Sequence, residues 1–514
     1  MKPDYWKKRS EQIARRQFIK ADAFEVAQRK EYDKAMKSMQ RDIEVFYQRY
    51  STNNEVTMSE ARKQLTAGEL KEFKMTLEEF TSKAKDNADG RWTQELNNVY
   101  YKTRVTRLEA LQTQIGQHSE MLAGSRQEST EKLLGDIYTD TYYRNIYEIQ
   151  KGFGIGGSFA HVDDEGLKKV LGSKLDGRNW SQRIWGDRSK VRQELQTKLS
   201  QSFIRGDSID RTVKSVVERM SVSRSNAERL VQTESAFFAG QATAAGYKES
   251  GVVKQYEVLA TLDTRTSSVC RGMDGKVFNL SEMEVNVNYP PFHARCRTTT
   301  VAHFDDDEGL GERIAMDPDG TTYYVPENMK YDDWYQKHVV DKYGQDNADI
   351  IRKKVDSEST DKNQFAQYKE VLGSNVPKSF AAFQDMKYNK PEEWLTTKDL
   401  YRNVNWQLKA QKNIIEGSVH RVDGIGVPNS VFDNYKDGKL DARRYYGSTG
   451  KPRLDIDFND HKRPKYHPIV PHSHSWLSKG ENTDDVSRES KGRELSRAEK
   501  IANKKAIERS KGYE

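Results

Sequence analysis

The sequence predicts a mainly α-helical N-terminal body, a small loop-rich α+β unit after it, and a separable α+β module near the C-terminal end. Apolar residues recur at helical spacing through residues 1–150 and again through 180–251, which predicts the helical body. Turn-forming residues then cluster at 263–304 and predict a loop-rich unit. Apolar residues alternate from 454 to 458, as they do in a β-strand.

Composition narrows the class of protein. A chain of 514 residues is too long for one hydrophobic core, at about 150 residues per domain. Hydrophobic residues are 35% and charged residues 32%, which indicates a helix-rich protein with much solvated surface. The net charge of +7 comes from interleaved charges, so it does not favour a dedicated nucleic-acid binder. No apolar run approaches the roughly 18 residues of a membrane span, so we expect no membrane partner.

The order of elements can be predicted along the first half of the chain. Helices are predicted over residues 1–150, followed by a glycine-rich loop at 152–178. We do not expect this loop to bind phosphate like a P-loop, because no Gly-Lys-Ser/Thr follows it and no buried strand precedes it. Three packed helices and a strand are predicted next. The first helix ends near Gly206, the second begins near Ser208, the third runs from an N-cap at Ser223 to Gly251, and the strand lies within 252–262.

Both cysteines of the chain lie in the turn-rich stretch, and three interpretations of them compete. They could ligate zinc together with a nearby histidine, since thiolate and imidazole are donors that zinc prefers. They could form a disulfide. Two cysteines in 514 residues indicate a chain that begins in a cytoplasm, where disulfides are disfavoured. They could also be buried small residues, with the histidine as a hydrogen-bonding strut. The zinc ligands would be Cys270, His293 and Cys296, with Asp263 or His303 as the fourth.

Three motifs in this stretch carry a family resemblance. The run D-x-R-T-x-x-x-C begins at Asp263, D-G-x-x-F at Asp274, and P-P-x-H-x-x-C-R at Pro290. Together they closely resemble the head-morphogenesis domain of phage Mu F-like minor head proteins. We identify that domain with residues 151–305, with a motif core at 180–305. Upstream, Arg229, Thr233 and Glu234 match the family's R-x-x-x-T-E pattern, which predicts a buried Glu234 paired with Arg229.

The resemblance implies a structural protein of the virion, with no enzymatic role for the main domain. It implies a minor capsid protein that joins the procapsid, in the capsid interior or near the portal, after a period in the host cytoplasm. The implied partners are the portal protein, the major capsid protein or the scaffold, and the packaged DNA is a further implied contact. An internal DNA-binding head protein is an alternative, weakly supported by the charge of +7.

The C-terminal third divides into a linker with short helices at 306–395, an α+β module at 396–476 and a charged tail at 477–514. The module resembles toxin-type domains of phage head proteins and polymorphic toxins, which implies a nuclease carried in the capsid as an alternative function. Carboxylates and imidazoles could bind a divalent metal or perform acid–base catalysis on a phosphodiester. The candidate catalytic residues are Asp455, Asp457, His461, His467, His472 and His474. A small β-rich binding module with surface histidines is the other interpretation of the same residues.

Overall fold

The computed structural model describes residues 6–83, 90–154, 156–304, 311–420, 422, 424–460, 469–478 and 486–510. The chain forms two compact units, Met1–Gln345 and Asp346–Glu514, here called the first and the second unit. The first unit is mainly helical and the second combines helices with a larger sheet, so the predicted fold class is confirmed. Within the described residues, every helix is too short or too polar to cross a membrane.

Long helices build the first unit. They are α1 (Trp6–Tyr50), α2 (Met58–Ala61), α3 (Ala67–Lys83), α4 (Arg91–Tyr101), α5 (Arg107–Phe153), α6 (Asp164–Leu171), α7 (Trp180–Arg205) and α8 (Ile209–Ser250). α1, α5, α7 and α8 share one core, to which Tyr32, Leu111, Leu195 and Met220 contribute buried side chains. A capping box starts α7, and Gly206, with a φ of 65°, ends it where the sequence predicted.

The predicted break at Ser223 was wrong, because α8 continues through it without interruption. Serine is a common N-cap because its hydroxyl can accept a hydrogen bond from the backbone of the first turn. Here the Ser223 side chain is buried and bonds to other helices instead. Its hydroxyl donates to Asp187 Oδ2 at 2.6 Å on α7 and lies 3.0 Å from the Tyr32 hydroxyl on α1. The serine therefore joins three helices and does not start one.

A small antiparallel sheet follows α8. It has the strand order β2-β1-β3, formed by β1 (Gln255–Leu259), β2 (Val277–Asn279) and β3 (Thr299–His303), with the short helix α9 (Ser268–Met273) between the first two and a 3₁₀ turn at Leu280–Glu282. β1 falls inside the predicted strand region. The first unit ends with the hairpin β4 (Glu312–Met316) and β5 (Thr322–Pro326), the helix α10 (Tyr331–Tyr335), a π-helical turn at Gln336–Val340 and α11 (Asp341–Tyr343).

Residues 311–345 are not the linker that the sequence predicted. Arg313 on β4 is buried and forms an ion pair with Asp274, which follows α9, at 3.0 Å. α1 also contacts this region, since Lys8 on α1 forms an ion pair with Glu312 on β4 at 3.0 Å. The hairpin thus belongs to the folded body that contains the cysteines.

The second unit is an α+β module larger than the predicted one. Its helices are α12 (Gln345–Asp356), α13 (Glu358–Leu372), α14 (Phe380–Asn389), α15 (Pro391–Ala410), α16 (Arg497–Ala502) and α17 (Lys504–Ser510). Its strands are β6 (Ile414–Gly417), β7 (Val431–Lys436), β8 (Lys439–Tyr446), β9 (Pro452–Asp457), β10 (His472–Ser478), β11 (Val486–Arg488) and β12 (Arg493–Glu494). The sheet order is β11-β10-β9-β8-β7-β6, with β12 also paired to β10. Only β6 and β7 run parallel among these described pairs.

Within the predicted charged tail, residues 486–510 are folded into the second unit. Ala498 and Ala502 on α16 are buried in the same apolar cluster as Phe383 on α14. Asn503 is buried and accepts a hydrogen bond from the Tyr445 hydroxyl at 2.6 Å. Small alanine side chains are enough to dock a short helix, so the scarcity of large apolar residues did not reveal this packing.

Candidate functional site

The two cysteines and His293 meet in a buried group, here called the cysteine cluster. Cys270 lies on α9, and the other two residues lie on the loop before β3. The Cys270 Sγ atom is 3.1 Å from His293 Nε2 and 3.7 Å from Cys296 Sγ. Both cysteines are 1% exposed and both are free thiols. The three ligand atoms all lie within 4.8 Å of one another, so the structure brings together these three predicted ligands.

Hydrogen bonds from two neighbouring segments hold the cluster. Ser267 caps α9, because its hydroxyl accepts the Cys270 N–H at 3.3 Å, and the same oxygen lies 2.8 Å from His293 Nε2. Arg295 has a positive φ of 60°, and its N–H donates to Thr233 Oγ1 on α8 at 3.1 Å. Thr233 of the R-x-x-x-T-E pattern therefore ties the cysteine loop to the long helix. Sequence reasoning missed Ser267, although a serine three residues before a helical cysteine is typical of an N-cap.

The neighbours of each sulfur shift the pKa of its thiol. The hydrogen bond from Cys270 lowers the pKa of Cys296 to about 4, with a further contribution from His293, although burial opposes the change. The same contact with Cys296, together with burial, raises the pKa of Cys270 well above its usual range. The pKa of His293 is raised, chiefly by its hydrogen bond to Cys296. Of the two sulfurs, Cys296 is therefore the one that loses its proton more readily, and the thiolate is the form of cysteine that binds metals.

The donor geometry fits zinc. Zinc–sulfur bonds of about 2.3 Å at a tetrahedral angle place two sulfurs ~3.8 Å apart, and the two sulfurs here are 3.7 Å apart. An imidazole nitrogen 3.1 Å from one sulfur supplies a third donor, with a small movement to reach an ion. Two sulfurs and one nitrogen leave one of the four positions of a tetrahedral ion for another ligand.

The two candidates for the fourth ligand lie elsewhere. Neither Asp263 nor His303 is in the group of described side chains whose ligand atoms lie within 4.8 Å of one another. Asp263 is buried, and the guanidinium of Arg297 donates hydrogen bonds to both of its carboxylate oxygens, with Nη2 2.9 Å from Oδ1. His303 lies on β3 opposite Gln255. The D-x-R-T and C-R ends of the family motif are therefore joined by an ion pair that fixes the loop.

We expect Cys296→Ser in the full chain to lower the bound zinc by about one ion per molecule and to lower the melting temperature. The bound metal contributes its binding free energy to folding, so its loss destabilises the first unit. Elemental analysis after dialysis and a thermal melt provide the two measurements. His303→Ala is the matched control, since its imidazole lies outside the cluster, and it should keep the metal. Equal zinc content in Cys296→Ser and the unsubstituted chain would contradict the site.

A cleft of about 1020 Å³ adjoins the cluster, lined by α7, α8 and the loop that carries His293. Arg229, Thr233 and Glu234 all line it. Glu234 is buried, as predicted, but its ion pair is with Arg183 Nε at 3.3 Å. The predicted pairing with Arg229 was wrong, because five residues along a helix rotate the side chain by about 140°. Burial raises the pKa of Glu234 to about 7, and Arg183 opposes this change.

The second candidate site lies in the second unit. His461 and His467 fall outside the described residues. Asp455 and Asp457 lie on the face of β9 opposite Ile456, as predicted, yet both are buried. β10 pairs with β9 so that His472 lies opposite Asp457 and His474 opposite Asp455. The interpretation as surface histidines was wrong, because both of these histidines are 1% exposed or less.

The basic residues near this site bind carboxylates of the protein. Arg443 forms a two-pronged ion pair with Asp433, and Arg444 forms one with Asp455. Both guanidinium groups are therefore paired within the protein and do not offer a free charge to a nucleic-acid phosphate. A catalytic base must come within hydrogen-bonding reach of the proton that it removes. Burial of the four described candidates does not favour such contact, so nuclease activity stays a prediction.

The chain is similar in sequence to known phage proteins. Residues 193–301 match the family described as Phage Mu protein F like protein, which covers the end of α7, all of α8 and the cysteine cluster. The matched stretch therefore contains the D-x-R-T, D-G and P-P-x-H-x-x-C-R motifs. The chain is also similar to Minor head protein GP7 of Bacillus phage SPP1, with 24% identity over 298 residues. That alignment covers 55% of this chain and 93% of GP7. No solved structure matches the chain.

These likenesses confirm the predicted resemblance of this region to phage Mu F-like proteins, and they add a similarity to a minor head protein. They support a capsid role for the protein. The toxin-type resemblance of the C-terminal module stays a prediction.

Proposed function

We propose that this protein is a minor capsid protein of a tailed bacteriophage, and that its first unit docks on another head component during procapsid assembly. The observation that carries the proposal is the combined likeness to the Mu F-like family and to Minor head protein GP7, of which 93% is covered. The partner is the portal protein, the major capsid protein or the scaffold, and the protein remains in the virion near the portal. Packaging or ejection of DNA is the step in which we expect it to act.

The contacts of the motif residues support a structural role for this region. Asp263 is held by Arg297, and Asp274 by Arg313, and both aspartates are buried. Thr233 accepts the Arg295 N–H, which fastens the cysteine loop to α8. Residues used in this way shape a rigid surface for contact with a partner. They do not present a nucleophile or a base to a substrate.

The two alternative functions have less support. A nuclease effector would need accessible acid–base groups, whereas Asp455, Asp457, His472 and His474 are all buried. An internal DNA-binding protein would need a concentrated basic face, whereas 85 basic residues are balanced by 78 acidic ones along the chain. Cleavage of labelled RNA or DNA by the full chain would revive the nuclease alternative.

We expect a chain ended after Gln345 to enter phage heads in the same amount as the full chain. The first unit is a compact body that contains the matched region, so the docking surface should be complete in it. The measurement is quantitative mass spectrometry of heads purified from phage that carry the shortened gene.

The complementary chain, residues 346–514, is the control and should be missing from heads. Circular dichroism must first show that each shortened chain is folded. If the folded first unit were missing from heads while residues 346–514 entered them, the docking surface would lie in the second unit and the proposed division would fail.

A further inference from the structure

The second unit contains a group of three side chains on β9 and β10, here called the histidine cluster: Asp457, His472 and His474. The Nε2 atoms of the two histidines lie 3.5 and 3.4 Å from the same oxygen of Asp457. All three ligand atoms lie within 4.8 Å of one another. Residues i and i+2 of a strand share a face, so β10 directs both imidazoles toward Asp457 on the adjacent strand.

The backbone fixes the orientation of both imidazole rings. Nδ1 of His472 lies 3.0 Å from the carbonyl oxygen of Ile469, and Nδ1 of His474 lies 2.8 Å from that of Glu489. A carbonyl oxygen can only accept, so each Nδ1 carries a proton and each ring directs its Nε2 toward Asp457. Histidines that bind metals usually have this second hydrogen bond, which sets their tautomer and orientation.

Ion pairs surround the cluster. Asp455 is paired with Arg444 and Arg488, and Arg488 also contacts Asp457. The ring centroids of the two histidines are 5.0 Å apart, so both imidazoles can reach one ion.

We propose that the histidine cluster is a divalent cation site with two imidazole nitrogens and one carboxylate as ligands. Zinc is the metal that this donor set fits best, because zinc commonly binds histidine nitrogen and carboxylate oxygen in a tetrahedral arrangement. A water molecule completes the four positions. The site joins β9 to β10, and its burial makes the ion structural, because a substrate does not reach it.

Arg488 competes with the cation for Asp457. Its Nε atom is 2.8 Å from Asp455, and its side chain is 31% exposed. When the ion binds, the guanidinium keeps Asp455 and releases one oxygen of Asp457. Gly492 packs directly against the imidazole of His472, since a Cβ there would lie 2.4 Å from Cδ2 of the ring. A larger residue at this position would displace the ring.

The test uses the full chain carrying Cys296→Ser, so that the cysteine cluster does not obscure the result. Equilibrium dialysis against zinc should show about one bound ion per molecule. His474→Gln in that background should weaken binding by about tenfold or more, because a ligand is lost. His420→Gln is the matched control, since His420 is an exposed histidine of the same unit, and it should bind zinc unchanged.

Arg488→Gln keeps the proposal testable if His474→Gln misfolds. Loss of the competing guanidinium should tighten zinc binding severalfold, which is an effect that misfolding cannot produce. Cobalt bound in place of zinc should show a visible spectrum without sulfur-to-metal charge transfer, because the ligands are nitrogen and oxygen. The proposal is overturned if the folded Cys296→Ser chain binds no zinc. It is also overturned if Arg488→Gln leaves binding unchanged or weaker.

Discussion

Replacing Arg313 by methionine is expected to destabilise the first unit by about 3–5 kcal/mol, because the change leaves a buried carboxylate without its counter-ion. Arg313 and Asp274 are each 1% exposed, and Nη1 and Nη2 of the arginine lie 3.1 and 3.0 Å from the two oxygens of Asp274. The guanidinium also donates to the carbonyl oxygens of Ala260 and Met329, which would lose their partner. Urea denaturation of the chain ended after Gln345 measures the free energy of unfolding.

Lys342→Met is the matched control for Arg313→Met. Lys342 pairs with Asp317 at 2.6 Å, in the same part of the first unit, but the lysine side chain is 49% exposed. Exposed ion pairs contribute roughly 0–1 kcal/mol, so this variant should unfold at nearly the same urea concentration as the unsubstituted chain. Similar losses in the two variants would mean that burial does not decide the strength of the Arg313–Asp274 pair.

The Arg313–Asp274 pair is a contact that could not be predicted from the sequence. The spacing of the D-x-R-T, D-G and P-P-x-H-x-x-C-R motifs was enough to predict that Cys270, His293 and Cys296 could come together, and they do. It did not reveal that Arg313, beyond the motifs, completes the same unit. Local patterns report which groups are near in sequence, but a hairpin that returns to the body is a long-range event.

Two other differences between the predicted and the observed structure arise from single side chains or single strands. Periodicity predicted helices on both sides of Ser223, but it cannot tell a serine that caps a helix from one whose hydroxyl bonds to a neighbouring helix. Alternation along β9 separated Asp455 and Asp457 from Ile456 correctly. The alternation did not reveal that other parts of the fold cover the face of β9 that carries the two aspartates. That face is buried although its residues are charged. The direction of a side chain follows from strand geometry, whereas its burial depends on the rest of the fold.

Replacing Glu234 by glutamine is expected to remove a pH dependence of stability that is worth about 3 kcal/mol between pH 4.5 and pH 7. Burial raises the pKa of Glu234 from 4.5 to about 7 in the folded state. The folded chain therefore holds a proton that the unfolded chain has already released in this range. Stability from this group is fully present below about pH 4.5, and it is lost as the pH rises through 7.

The comparison between variants isolates Glu234 from other acids. Burial also raises the pKa of Glu11 to about 7, so the unsubstituted chain sums at least two contributions of the same sign. The informative quantity is the stability of the unsubstituted chain minus that of Glu234→Gln, from urea denaturation at several pH values. It should fall by about 3 kcal/mol from pH 4.5 to above 7. Glu218→Gln, at an exposed acid that lines the same cleft, should give a nearly constant difference. A constant difference for Glu234→Gln as well would mean that Arg183 keeps the buried carboxylate ionised throughout this range.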